Sequence, residues 1–145
     1  MSFNNLDALY RQVIMDHYQH QRNRGKLDDQ ALMIEMNNPS CGDRILLHLN
    51  VQDGEVKDIS FEGEGCSISM ASASMMTQAV KGKKVKDVLE MAKTFSNMMI
   101  GEEVDPQDLG LSDIQALQGV SQFPARIRCA TLSWEAVEKG IKEEE

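Results

Sequence analysis

The chain is short of apolar runs, of basic residues and of cysteine, and each shortage excludes a class of protein. None of its apolar stretches approaches the ~20 residues that a membrane-spanning helix needs, so no span is expected. Lys and Arg number 15 against 23 Asp and Glu, a net charge of −8. That balance argues against a nucleic-acid binder, which needs a basic patch to neutralise phosphates. It favours solubility and partners with a basic surface. The opening residues Met1-Ser2-Phe3-Asn4-Asn5 lack the basic and apolar regions of a signal peptide, so a cytoplasmic location is expected. Three cysteines are an odd number, none lies in a Cys-x-x-Cys pair, and a reducing compartment would keep them as thiols; no disulfide framework is expected. There is no internal repeat and no domain-sized linker. The 145 residues, 41% hydrophobic and 26% charged, suit one globular domain spanning 1–145.

The local patterns predict an α+β fold, a small three-stranded antiparallel sheet with helices packed on it. Leu6, Leu9, Tyr10, Val13, Ile14, His17 and Tyr18 recur at helical spacing, predicting a helix from 5 to about 20 with Asn5 as its cap. Residues 31–36 form a short apolar run that suits a strand. Ile45, Leu47, Leu49 and Val51 alternate with Leu46, His48 and Asn50, Asp53-Gly54 signals a hairpin turn, and Val56, Ile59 and Phe61 mark the return strand. Helices are predicted over 67–80, 85–99 and from Pro124 to about 142, with an acidic connection between the last two and a short turn at 113–117. In the last helix Ile127, Ala130, Trp134, Val137 and Ile141 form the expected core stripe, with Cys129 off it and Arg126 on the Cys129 face.

The chemistry concentrates at the cysteines. Asn38-Pro39-Ser40-Cys41-Gly42-Asp43 sets a thiol and a carboxylate two residues apart in a loop that Pro39 and Gly42 keep from being helical. Cys66 follows Gly63-Glu64-Gly65 and opens a helix; Cys129 follows Arg126-Ile127-Arg128 near the start of another. Free N–H groups at a helix start stabilise a thiolate, and Arg126 and Arg128 supply auxiliary positive charge beside Cys129. Three thiolates and Asp43 make four ligands, which fits tetrahedral zinc; the same thiolates fit an iron–sulfur cluster. Spacing alone leaves open whether the thiols are simply buried, Asp43 simply a turn residue and both arginines solvated surface. The ten methionines read as core filler, and His17, His20 and His48 as structural or exposed.

Taken together, the three cysteine contexts resemble the iron–sulfur cluster assembly proteins of the IscU/SufU type. Asp16-His17-Tyr18 with Arg22-Asn23-x-Gly25 matches as well, although Gln21 stands where the family usually has Pro. The resemblance runs nearly end to end. It implies that family's fold, with the metal site at one end of the sheet, and a pyridoxal-phosphate cysteine desulfurase, of the SufS type, as partner. The departures are similar to the SufU branch. Scaffold members of the IscU type carry His before the third cysteine, where this chain has Arg128, which has no lone pair to give a metal. The interval from Cys66 to Cys129 is roughly twenty residues longer than in those scaffolds, an acidic insertion expected at about 99–120 on the surface. The scaffolds' chaperone motif is reduced to Gln122-Phe123-Pro124-Ala125-Arg126.

What the resemblance implies is a zinc-dependent sulfur relay. Cys41, Asp43, Cys66 and Cys129 hold the zinc; Cys41 accepts persulfide sulfur from the desulfurase and passes it to a downstream cluster scaffold. The alternative expectation is a scaffold on which the same cysteines hold a transient [2Fe–2S] cluster.

Overall fold

Three strands, β1 (Leu32–Asn38), β2 (Asp43–Gln52) and β3 (Glu55–Glu64), pair antiparallel in the order β1-β2-β3. The computed structural model describes residues 2–28, 31–40 and 42–144; Cys41 lies outside them. The meander is the expected one. Asp53 and Gly54 take φ of 54° and 74°, the two positive values that a type I′ hairpin turn requires. Alternation sends Ile34, Ile45, Leu47, Leu49, Ile59 and Phe61 to one face, where all are buried. On the other face His48 bonds Glu62 at 2.9 Å.

Of the helices α1 (Ser2–Gln19), α2 (Ser67–Val80), α3 (Val85–Met99) and α4 (Pro124–Glu144), α2 and α4 lie on the sheet, α2 against β3 and α4 against β1 and β2, while α1 packs on α2, and α4 also meets α2 and α3. Gly140 sets the depth of that packing: a Cβ there would stand 2.7 Å from Ile34 Cδ1 and 2.9 Å from Leu49 Cδ2. Contact on several sides changes the expected burial of α4. Cys129, placed off the core by the single-stripe reading, is fully buried, and so are Leu132 and Ala136, whereas Ile127 is only half-buried. A helix between a sheet and two other helices buries more than one stripe. Elsewhere the differences are at ends: α1 starts at Ser2, ahead of the expected cap at Asn5, and β1 runs on to Asn38 instead of stopping at Met36.

The acidic connection forms two 3₁₀ segments, Pro106–Leu109 and Ser112–Gln122, and sends Leu109, Ile114 and Leu117 fully into the core. The segment expected as a surface insertion therefore takes part in the packing. It also supplies Asp113 to His17, which is completely buried. His17 Nε2 donates to Asp113 Oδ2 at 2.9 Å, because a carboxylate only accepts. The other ring nitrogen, Nδ1, hydrogen-bonds Ser74 Oγ at 2.8 Å, and Ser74 Oγ in turn accepts from Arg22 N–H at 2.9 Å. One histidine thus ties α1 to α2 and to the second 3₁₀ segment.

Trp134 tests the core. It is 1% exposed and stacks on Phe95, centroids 5.1 Å apart at 19°. Trp134→Ala should cost about 3–5 kcal/mol through the cavity it leaves. The measure is a lowered urea midpoint with an unchanged slope; a loss below about 1 kcal/mol would contradict the packing described.

Candidate metal centre

The end of the sheet nearest the starts of α2 and α4 is where the polar side chains meet. Asn38 and Asp43 are register partners across β1 and β2, and both continue the buried face of their strands: Asn38 follows Ile34 at an even interval, and Asp43 precedes Ile45. Both are buried, Asp43 to 2% exposure. At the end of β3, Gly63-Glu64-Gly65 carries the chain to Cys66, the N-cap of α2, whose Sγ accepts from Ser69 N–H at 3.5 Å. Position 63 needs glycine, since its φ is 128° and a Cβ would collide with the Arg44 carbonyl oxygen. Cys129 arrives from the second turn of α4.

Hydrogen bonds lock these pieces together. Cys66 N–H and Ser69 Oγ–H both donate to Asp43 Oδ1, each at 2.9 Å. Asn38 Nδ2 donates to Asp43 Oδ2 at 3.3 Å and stands 3.7 Å from Cys129 Sγ. Gly65 makes the closeness possible, because a Cβ there would stand 2.5 Å from both Asp43 Oδ1 and Ser69 Oγ.

Asp43, Cys66 and Cys129 each offer one ligand atom, and these atoms lie within 4.8 Å of one another. A tetrahedral zinc with Zn–S bonds of ≈ 2.3 Å sets its sulfurs about 3.8 Å apart, so small side-chain rotations close the shell. Two thiols and a carboxylate converging in a mostly buried place suit zinc or another thiophilic divalent ion, and ionised together they need a cation to offset their repulsion. The donor set fits.

The structure thus brings together three of the four expected ligands; the fourth, Cys41, lies outside the described residues. Arg126 is exposed in the first turn of α4. Arg128 is exposed too, and its Nε pairs with Glu135 Oε2 at 3.2 Å, two turns further along the same face of the helix. Burial pushes the Glu135 carboxyl up, with Arg128 pulling the other way. The sequence reading gave no role to Asn38, Gly65 or Ser69. Signals for them existed: Asn38 extends the Leu32-Ile34-Met36 alternation, and Ser69 is three residues after a helix cap, where side chains reach back to the cap. A cleft of about 670 Å³ on the other sheet face, lined by Arg24, Lys26, Arg44, His48 and Glu62, includes none of the described ligands.

Residues 9–130 match the family described as the NifU-like N-terminal domain. The chain is 63% identical, over all of its length and 98% of the relative's, to the zinc-dependent sulfurtransferase SufU of Bacillus subtilis. It is 42% identical to the iron–sulfur cluster assembly scaffold protein IscU of Streptococcus pyogenes serotype M1, over 98% of this chain and 88% of that one. Its fold matches a crystal structure from Fervidobacterium islandicum AW-1, a candidate iron–sulfur cluster assembly scaffold for the SUF system, with TM-score 0.83 and 35% identity over 89% and 93% of the two chains.

Two outcomes are expected. Gly65→Ala should leave a folded chain whose affinity for zinc, read by competition with a chelator, falls by about 10–100-fold as Asp43 is displaced; unchanged affinity would contradict the Asp43 placement. Glu135→Gln should behave like a permanently protonated Glu135. Because the folded carboxyl titrates above its unfolded value, its stabilising contribution is present below about pH 4 and lost as pH rises through the folded value. The two proteins should therefore melt alike at low pH, with the variant more stable at pH 7; a less stable variant there would mean that the Arg128 pair outweighs burial.

Proposed function

Because the chain belongs to the NifU-like N-terminal domain family, we propose that it is a zinc-dependent sulfurtransferase of the SufU kind, working in iron–sulfur cluster assembly. The observation that carries the reading is the convergence of Asp43, Cys66 and Cys129 within 4.8 Å at one end of the sheet. Cys41, two residues before Asp43, is the fourth ligand and the sulfur acceptor on this reading. Bound zinc would hold the ligand sulfurs as thiolates at neutral pH.

The chain's own residues do the rest. Asn38, Ser69 and the Cys66 amide hold the Asp43 carboxylate in place. The acceptor thiolate of Cys41 attacks the outer sulfur of a persulfide on a cysteine desulfurase. An S–S bond forms at Cys41, the donor's S–S bond breaks, and the donor cysteine leaves as a thiolate. The oxidation level is conserved and no outside reductant is needed. Passing the sulfur on to a downstream cluster scaffold repeats the exchange. The donor is a pyridoxal-phosphate enzyme of the SufS type, and the setting is the cytoplasm, where thiols stay reduced. No helix among the described residues is long and apolar enough to cross a membrane, and the net charge of −8 suits a partner with a basic surface, not nucleic acid.

A second reading, a scaffold for a [2Fe–2S] cluster, has the scaffold relatives in its favour. Arg128 speaks against it, since it offers no lone pair to iron. The test is metal analysis with a desulfurase assay on the purified protein. About one zinc per chain, no visible bands, and loss of desulfurase stimulation in Cys41→Ala are expected. Iron with matching acid-labile sulfide would favour the scaffold, and full stimulation by Cys41→Ala would remove Cys41 as acceptor.

A further inference from the structure

The two oxygens of Asp43 are unequally committed. Oδ1 accepts from Cys66 N–H and from Ser69 Oγ–H, both at 2.9 Å, whereas among the described residues Oδ2 has only Asn38 Nδ2, at 3.3 Å. A carboxylate has about four lone-pair sites. Both on Oδ1 are filled and one on Oδ2 is left. Ser69 has a second acceptor, the Cys66 carbonyl oxygen at 3.0 Å, but a charge-assisted bond to the carboxylate is the stronger choice. At 1% exposure Ser69 has no bulk water to compete for its hydrogen.

We propose that Ser69 is a positioning residue of the metal centre: with the Cys66 amide it fills Asp43 Oδ1 and leaves Asp43 to bind a divalent metal through Oδ2 alone. The inference rests on the zinc reading above and adds what fixes the coordination number. Three thiolates and one oxygen make four ligands; a second oxygen from Asp43 would make five. A carboxylate held through one oxygen also yields its place on breaking one bond, where a chelating carboxylate must break two. Asn38 supports the arrangement from the other side, between Asp43 Oδ2 and Cys129 Sγ.

The experiment uses the full chain, freed of zinc and titrated with cobalt(II), in wild-type, Ser69→Ala and Ser69→Thr forms. The visible d–d bands of cobalt are intense with four tetrahedral ligands and much weaker with five. Wild type and Ser69→Thr should give the intense spectrum. Ser69→Ala, which keeps a good helix former at that position, should give the weak one, and its zinc affinity should fall by about 10–100-fold in chelator competition. Circular dichroism confirms that each variant is folded. A folded Ser69→Ala with the wild-type spectrum and affinity overturns the role of Ser69 while leaving the zinc reading intact. A folded Ser69→Thr that matches the alanine variant overturns it too, because the hydroxyl would then not be what matters. Wild type that takes up neither cobalt nor zinc overturns the zinc reading and this inference with it.

Discussion

A carboxylate that is 2% exposed must find donors or a cation inside the protein, and Asp43 finds donors on two other elements. Asn38 reaches it from β1, and the Cys66 amide and Ser69 hydroxyl reach it from the cap and the first turn of α2. Each donor is useful only if its element ends in the right place. β1 must run two residues past its apolar stretch, and α2 must start directly after Cys66. The link between β3 and α2 must also pass Asp43 without a side chain, which is what Gly65 does. Satisfying one buried carboxylate therefore fixes where three elements begin or end, and it is these ends that carry two of the cysteine motifs.

The third cysteine is held by packing. α4 sits deep enough on the sheet to need Gly140, and that depth buries Cys129 beside Asn38. α2 is held at its middle as well as at its start. The buried His17, bonded to Ser74 and Asp113, joins it to α1 and to the second 3₁₀ segment. The order Ser74–His17–Asp113 has the bonding of a hydrolytic triad, but Ser74 is fully buried, so its hydroxyl has no access to a substrate. Its use is structural: breaking it would loosen the helix whose N-terminus forms the metal site.

The fold was largely legible because its signals are local. Alternation in residues 45–51, Asp53-Gly54 at the turn and apolar spacing in α1, α2 and α3 each report the structure of their own segment. The candidate ligands were legible through three spaced motifs, not through any single one. What stayed hidden depends on two segments meeting. The burial of Cys129 follows from α4 touching the sheet and two helices at once, which a one-stripe reading of α4 cannot contain. The packing role of the 102–122 segment follows from where Leu109, Ile114 and Leu117 end up, and an acidic composition says nothing of that. The role of Ser69 depends on Asp43, 26 positions earlier, which no local pattern in α2 reports.

The two described thiols differ in what they can do. Cys129 is fully buried under α4, beside an amide donor, and no donor protein's persulfide can reach it without moving the helix. Cys66 is partly accessible, but it caps α2, so chemistry at its sulfur would cost the helix its cap bond from Ser69 N–H. Both suit ligands that hold and do not collect. A sulfur acceptor needs the opposite: exposure, and a backbone whose displacement breaks no helix. This division of labour between the two described thiols supports the proposal that Cys41 is the acceptor.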